Sequence, residues 1–151
     1  MFENAPPSRR SGDWYDALAT IACDCADLPA IAEVQVLRAL RDHLLHAPWT
    51  HCLAGVNLPE AAEFETLLSA GACESAALRL IGEDGGYMLS RGPGGMCLAS
   101  VMLPGRAEES SCGGESFGLA LAGAIALALA ESPAMPSERG DAESRPALRL
   151  N

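Results

Sequence analysis

Lysine is absent from this sequence, and all ten basic residues are arginine. An amine side chain is required by the phosphate-binding lysine of a P-loop, by a Schiff base with pyridoxal phosphate and by the ATP-binding lysine of a kinase. The lack of lysine therefore excludes these three kinds of site.

Positive charge as a whole is scarce. The chain carries 20 Asp and Glu against 10 basic residues, for a formal net charge of -10. The arginines are scattered and form no basic stripe, and a surface of this sign repels a phosphate backbone. Nucleic acids and anionic membranes are therefore poor partners.

Long apolar runs are also missing. The longest, residues 117–130, is shorter than the roughly 20 residues that a membrane-spanning helix needs. The first ten residues are polar and lack the apolar segment of a secretory signal. A hydrophobic content of 49% in 151 residues suits one folded domain. We expect a globular, cytoplasmic protein.

The sequence contains six cysteines, and their redox state has to be considered. The six are Cys23, Cys25, Cys52, Cys73, Cys97 and Cys112. In a cytoplasmic chain of this size disulfides are unnecessary, so we expect reduced and mostly buried thiols. Cys23 and Cys25 would form a redox pair only if a helix ended at Cys25, and small core or rim residues are the favoured interpretation.

Composition also sets the domain boundaries. Residues 1–12 and 132–151 are rich in Pro, Ser, Glu and Arg and are predicted to be disordered tails. Between them, residues 13–131 form one predicted domain.

Apolar spacing of three and four predicts three helices in the first half of this domain. The first begins at Asp13, and the second has the stripe Ile31, Val34, Leu37, Leu40 and Leu44 after a cap at Asp27. A short third helix begins near Pro59 and ends at Gly71. Residues 49–56 are compatible with a strand or a loop. The aromatic residues Trp14, Tyr15 and Trp49 are predicted core anchors.

The second half changes to a period of two. Residues 76–80, 87–91 and 96–103 predict three antiparallel strands, joined by glycine-rich turns at 82–86 and 92–95. A polar linker leads to a helix over residues 115–131 that is apolar all round and must be covered on both sides. The predicted fold class is α+β, with N-terminal helices, a three-stranded meander and a C-terminal apolar helix packed on the sheet.

The order of these elements resembles that of small bacteriophage proteins of the ABA-sandwich type. The resemblance covers residues 60–131 and depends on the sequence Ser-Phe-Gly-Leu-Ala-Leu-Ala at residues 116–122 together with the element order. It implies a compact, prophage-derived domain, and it implies no catalytic residues.

The sequence at residues 114–118 matches G-x-S-x-G, the nucleophile motif of α/β-hydrolases, with Ser116 as the nucleophile. An esterase would need a strand leading directly into Ser116 and a histidine after it. The predicted linker takes the place of the strand, and all histidines precede Ser116. The favoured interpretation makes Ser116 the N-cap of the last helix.

A second cluster has the residue types of a zinc site. His43 and His46 are three residues apart near a helix end, and His51 with Cys52 completes four candidate ligands. The spacing fits no established zinc pattern, and histidines also stabilise the carbonyl end of a helix. We retain a thiol- or zinc-dependent enzyme or sensor as the alternative function.

These observations favour a non-enzymatic domain that acts through protein contacts, such as a prophage-type accessory or assembly protein. We expect no cofactor. We also expect a homodimer formed through the 115–131 helix or through a sheet edge, because a three-stranded layer leaves edges open.

Overall fold

The computed structural model describes residues 7–131, with side chains from residue 12 onward. The described chain has the predicted α+β class, with helices and one sheet of three antiparallel strands. The helices are α1 (Pro7–Asp27), α2 (Glu33–Leu45), α3 (Ala61–Ser69), α4 (Cys73–Leu78) and α5 (Phe117–Ala130). The strands are β1 (Gly86–Arg91), β2 (Cys97–Met102) and β3 (Ser110–Gly114).

Helix α5 forms the centre of the molecule. It packs on β2 and β3 on one side and on α1, α2 and α4 on the other. Its alanines and glycines let these neighbours approach closely, and Leu119, Leu121 and Ile125 are fully buried. The prediction of burial on both faces is therefore confirmed. Neither α5 nor any other helix within residues 7–131 is long and apolar enough to cross a membrane.

The sheet has the strand order β1-β2-β3. Leu89 pairs with Ala99, and Ala99 pairs with Cys112, which sets the register across all three strands. The hairpin between β1 and β2 turns through Gly94 and Gly95, whose φ values of 83 and 87 degrees suit glycine. The predicted turn at residues 92–95 is thus correct.

One predicted strand is wrong, and one strand of the sheet was not predicted, whereas the strands predicted at residues 87–91 and 96–103 are present as β1 and β2. Residues 76–80, predicted as the first strand, lie in α4 and the turn after it, where Ala76, Ala77 and Leu80 are buried together. A short apolar run does not separate a strand from a helix by periodicity. The third strand is Ser110–Gly114, in the segment predicted as a linker. Its small residues have little strand propensity, and pairing with β2 under α1 and α5 determines its conformation.

The N-terminal helices differ from prediction at their ends. Helix α1 begins at Pro7, within the range predicted as a tail, and extends to Asp27, which therefore caps no second helix. A short 3-10 helix, Ala30–Ala32, leads into α2 and leaves Ile31 89% exposed, although Ile31 was predicted in the core stripe. The remaining tail predictions, for residues 1–6 and 132–151, lie outside the described residues.

The segment left open between strand and loop is mostly a 3-10 helix, Thr50–Leu53. Val56 then forms an isolated antiparallel bridge with Ile81. The third helix runs over Ala61–Ser69, and the chain leaves it through Gly71 at a φ of 78 degrees, as the glycine predicted.

Candidate interaction surface

The first of the predicted zinc ligands, His43, joins two helices. Its Nε2 donates to the backbone oxygen of Trp14 at 2.9 Å, and the Trp14 indole Nε1 donates to the backbone oxygen of His43 at 2.9 Å. The two rings stack with centroids 5.3 Å apart. This reciprocal contact fixes α1 against α2 and uses the imidazole for packing.

The other three candidates do not converge on one point. His46 Nδ1 donates to the backbone oxygen of Asp42 at 2.8 Å, which satisfies a carbonyl at the end of α2. His51 is exposed, whereas Cys52 is buried with its sulfur 3.3 Å from the hydroxyl of Tyr15. No three metal-ligating side chains form a group among the described residues. The zinc arrangement proposed from the sequence is therefore not assembled.

Ser116 caps α5, as predicted. Its Oγ accepts from the backbone N–H of Leu119 at 3.1 Å and donates to Glu33 Oε2 at 2.7 Å. One objection to an esterase was wrong, because β3 leads almost directly to Ser116 and α5 follows it. The backbone at Ser116 is nevertheless extended, and its hydroxyl is bonded to a carboxylate where a hydrolase has a histidine. The geometry is that of a helix cap.

A small open cavity of about 260 Å³ lies beside this cap. Its lining includes the carboxylates of Glu33, Glu74 and Glu115 and one basic side chain, Arg91, so negative charge predominates. Burial, and then the nearby Glu33, raises the pKa of Cys73 to about 11, so this thiol is protonated at neutral pH. The cavity therefore combines negative charge with an inactive thiol, which suits neither an anion nor a cysteine nucleophile.

Cys23 and Cys25 do not form a pair. Helix α1 continues past both, and Cys23 is exposed whereas Cys25 is fully buried, so they point to opposite sides. Burial, with a smaller contribution from Cys112, raises the pKa of Cys25 to about 12. All six cysteines are free thiols and four of them are buried, which agrees with the expected role as small core residues.

The outer face of the sheet is the surface that remains without a cover in the described chain. We define the outer sheet face as the residues that point away from α5: Met88, Ser90, Leu98, Ser100, Met102 and Ser111. Met88 is 66% exposed, Leu98 45% and Met102 38%. None of these side chains is charged, in a chain whose net charge is -10. A contiguous exposed apolar face is a candidate interaction site.

Strand β1 extends this surface to an open edge. Five of its six residues are exposed and the sixth is half-buried, because α5 lies under β2 and β3. The N–H of Gly92 donates to the backbone oxygen of Met96 at 2.8 Å, which marks this pair as hydrogen-bonded. Antiparallel pairs alternate, so Met88 and Ser90 also bond to β2. The N–H and C=O groups of Tyr87, Leu89 and Arg91 therefore point away from β2.

Exposed apolar residues elsewhere are more dispersed. Ile31 and Leu45 lie near opposite ends of α2. Trp49 is 46% exposed, so the prediction of a core anchor is wrong for Trp49, while Trp14 at 5% is in the core as predicted. Single exposed apolar side chains are common on protein surfaces and indicate no site.

Comparison of the chain with protein-family models, with curated proteins and with solved structures finds no match. The function therefore has to be argued from the physical character of the sheet.

Proposed function

We propose that this protein is a non-enzymatic domain that acts by binding protein chains at its uncovered sheet. The observation that carries the proposal is the combination of the uncharged outer sheet face with the open edge of β1. An edge strand offers unpaired N–H and C=O groups to an incoming strand, which is the basis of β-strand addition. Exposed methionines add an adaptable apolar contact surface.

The proposal includes a homodimer. The exposure of the two candidate surfaces indicates which of them is available to form it. Two surfaces were predicted, the 115–131 helix and a sheet edge. Helix α5 is enclosed by α1, α2, α4 and the sheet within one chain, so it has little surface to offer. The edge of β1 is exposed, and this supports the sheet as the dimer surface.

The biological setting is a further part of the proposal. A prophage-type accessory or assembly role in the cytoplasm agrees with an acidic domain that works through contacts. Capsid, tail or lysis genes beside the gene for this chain would support that setting, and a neighbourhood of metabolic genes would contradict it.

Site-specific photo-crosslinking in cells that naturally produce the full chain tests the binding proposal. Benzoylphenylalanine in place of Met88 lies on the uncovered sheet, and the same group in place of the exposed Thr20 on α1 is the matched control. We expect protein adducts from position 88, fewer from position 20, and their loss when Leu98 and Met102 are both changed to Glu. Equal adduct formation at both positions, or none at position 88, would contradict the proposal.

A further inference from the structure

The open edge of β1 carries a pattern that indicates which partner it fits. We infer that the partner is a second copy of this chain, and that two β1 strands pair antiparallel about a two-fold axis at Leu89. This inference depends on the proposed function, because it names the occupant of the same edge. The result is one continuous six-stranded sheet with β1 of each chain at its centre.

The register follows from the groups that face the edge. Tyr87, Leu89 and Arg91 present their N–H and C=O groups away from β2, and they are spaced symmetrically about Leu89. In a two-fold pairing centred there, Leu89 pairs with the partner's Leu89, and Tyr87 pairs with the partner's Arg91. Of the possible two-fold registers, this one pairs all edge-facing groups of β1 within the strand itself.

The two neighbouring registers pair fewer of the edge-facing N–H and C=O groups of β1. A shift centred on Met88 would place Arg91 opposite Gly85 of the partner, whose N–H already donates to Gly82 within the turn. A shift centred on Ser90 would place Tyr87 opposite the partner's Pro93, which has no N–H to donate. Both shifts therefore leave edge groups without a partner inside the ladder.

Charge also favours antiparallel pairing of two copies. The turn before β1 ends in Glu83 and Asp84, both exposed, and β1 itself ends in Arg91, also exposed. In the antiparallel pair, the basic end of each strand lies towards the acidic turn of the other. A parallel pair would bring the two acidic turns together and repel. The guanidinium carbon of Arg91 lies 5.3 Å from the centroid of the Phe117 ring in its own chain, which holds this charge at the end of β1.

The wild-type full chain provides the first test, by sedimentation equilibrium and by amide hydrogen exchange followed by NMR. We expect a dimer in which the N–H groups of Tyr87, Leu89 and Arg91 exchange slowly at high concentration and faster on dilution. The N–H groups of Met88 and Ser90 bond to β2 and are the internal control, with no such dependence on concentration. A chain that stays monomeric at high concentration, or a dimer in which the three edge groups exchange freely, would overturn the inference.

The second test measures the register by disulfide cross-linking in a Cys23→Ser background, with copper phenanthroline and dissolved oxygen as the oxidant. In the proposed register, Leu89→Cys brings two sulfurs together at a hydrogen-bonded pair, whose Cα separation of about 5.5 Å allows a disulfide. Met88→Cys is the matched control, because its two copies are diagonal neighbours. We expect cross-linking at least about tenfold faster for Leu89→Cys, since diagonal Cα atoms exceed the usual disulfide range. Faster cross-linking of Met88→Cys would overturn this register.

Tyr87→Pro separates self-pairing from folding. The substitution removes an N–H that points to the edge and none that bonds to β2, which is the position an edge strand tolerates for proline. We expect a folded monomer, and a persistent dimer would overturn the β1 interface. If the wild type is monomeric while benzoylphenylalanine at position 88 captures a protein of a different mass, self-pairing and the homodimer fail, and the proposed binding of other protein chains at the sheet stands. If position 88 gives no adduct, the proposed function itself fails.

Discussion

Helix α5 and strand β1 are two regular elements of one chain with opposite relations to the rest of it. Eleven of the fourteen residues of α5 are buried, whereas none of the six residues of β1 is. Helix α5 is apolar on every side and is surrounded by its own chain. Strand β1 carries Tyr87, Met88 and Leu89 and has only β2 as a substantial neighbour.

The difference shows that apolar character alone does not identify an interface. A helix as apolar as α5 suggests a second subunit when only the sequence is known, but α1, α2 and α4 supply the cover. The exposed apolar residues of the outer sheet face, Met88, Leu98 and Met102, are spread over two strands and look ordinary in the sequence. They form a surface because pairing places them on one face.

The largest expected difference between α5 and β1 is the loss of stability caused by a charged side chain placed in each of them. Leu121→Asp buries a carboxylate in the centre of α5 and should lower the free energy of unfolding by about 4 kcal/mol. Met88→Asp places the same group on β1, where water solvates it, and should cost less than about 1 kcal/mol. Urea unfolding at low protein concentration measures both. Similar losses for the two variants would show that β1 is covered or that α5 is not.

A smaller loss of stability is expected when a side chain is added at Gly123, where α5 contacts α1 and β3. A Cβ added there would collide with the sulfur of Cys112 and lie 3.0 Å from the Cβ of Cys25. Gly123→Ala should therefore destabilise by about 1–3 kcal/mol despite the better helix propensity of alanine.

Two further variants control this measurement. Adding Cys112→Ala to Gly123→Ala makes room and should recover part of the loss. Gly113→Ala on β3 meets nothing closer than 3.5 Å and should change stability by less than about 0.5 kcal/mol. Thermal unfolding of the four chains, wild type included, compares them, and equal stability of the two single glycine variants would contradict the close packing.

The sequence predicts an element of this structure when residues close together in the chain determine it. The period of α5, the glycine turn at residues 92–95 and the cap at Ser116 are local, and all three are correct. Strand β3 has no local signal, because Ser, Cys and Gly have low strand propensity and only β2 and α5 specify it.

The candidate site was less predictable than the fold. The alternation of Leu98 and Met102 with Cys97 and Val101 assigns them to opposite faces, but it does not say which face α5 covers. That choice depends on the small inward residues, such as Ala99, which let the helix approach. The histidines and cysteines suggested chemistry by type, and their hydrogen bonds to Trp14, Asp42 and Tyr15 could not be read from spacing.

A more modest effect is expected at the N-terminus of α5. Ser116→Ala removes the hydroxyl that accepts from the Leu119 N–H and donates to Glu33, and should cost about 1 kcal/mol, the usual value of an N-cap. Ser90→Ala on the exposed face of β1 is the matched control and should change stability by less than about 0.5 kcal/mol. Urea unfolding at pH 7 measures both. A neutral Ser116→Ala would show that the cap contributes little to α5.

The last prediction concerns Cys25, the buried thiol beside α5, and its effect on the pH dependence of stability. This effect is absent at neutral pH and increases in alkaline solution. Burial raises the pKa of Cys25 from 9.0 to about 12. Between these two values the unfolded chain releases the proton and the folded chain retains it, so the folded state loses stability as pH rises. Below pH 9 both states hold the proton, and the thiol contributes no pH dependence.

We therefore expect the urea concentration at the midpoint of unfolding, measured under reducing conditions, to fall as the pH rises from 9 towards 11. The slope should be shallower in Cys25→Ala and retained in Cys23→Ala, because Cys23 is exposed. An equal slope in all three chains would mean that Cys25 does not titrate differently on folding, and the close cover of α5 by α1 would then be in error.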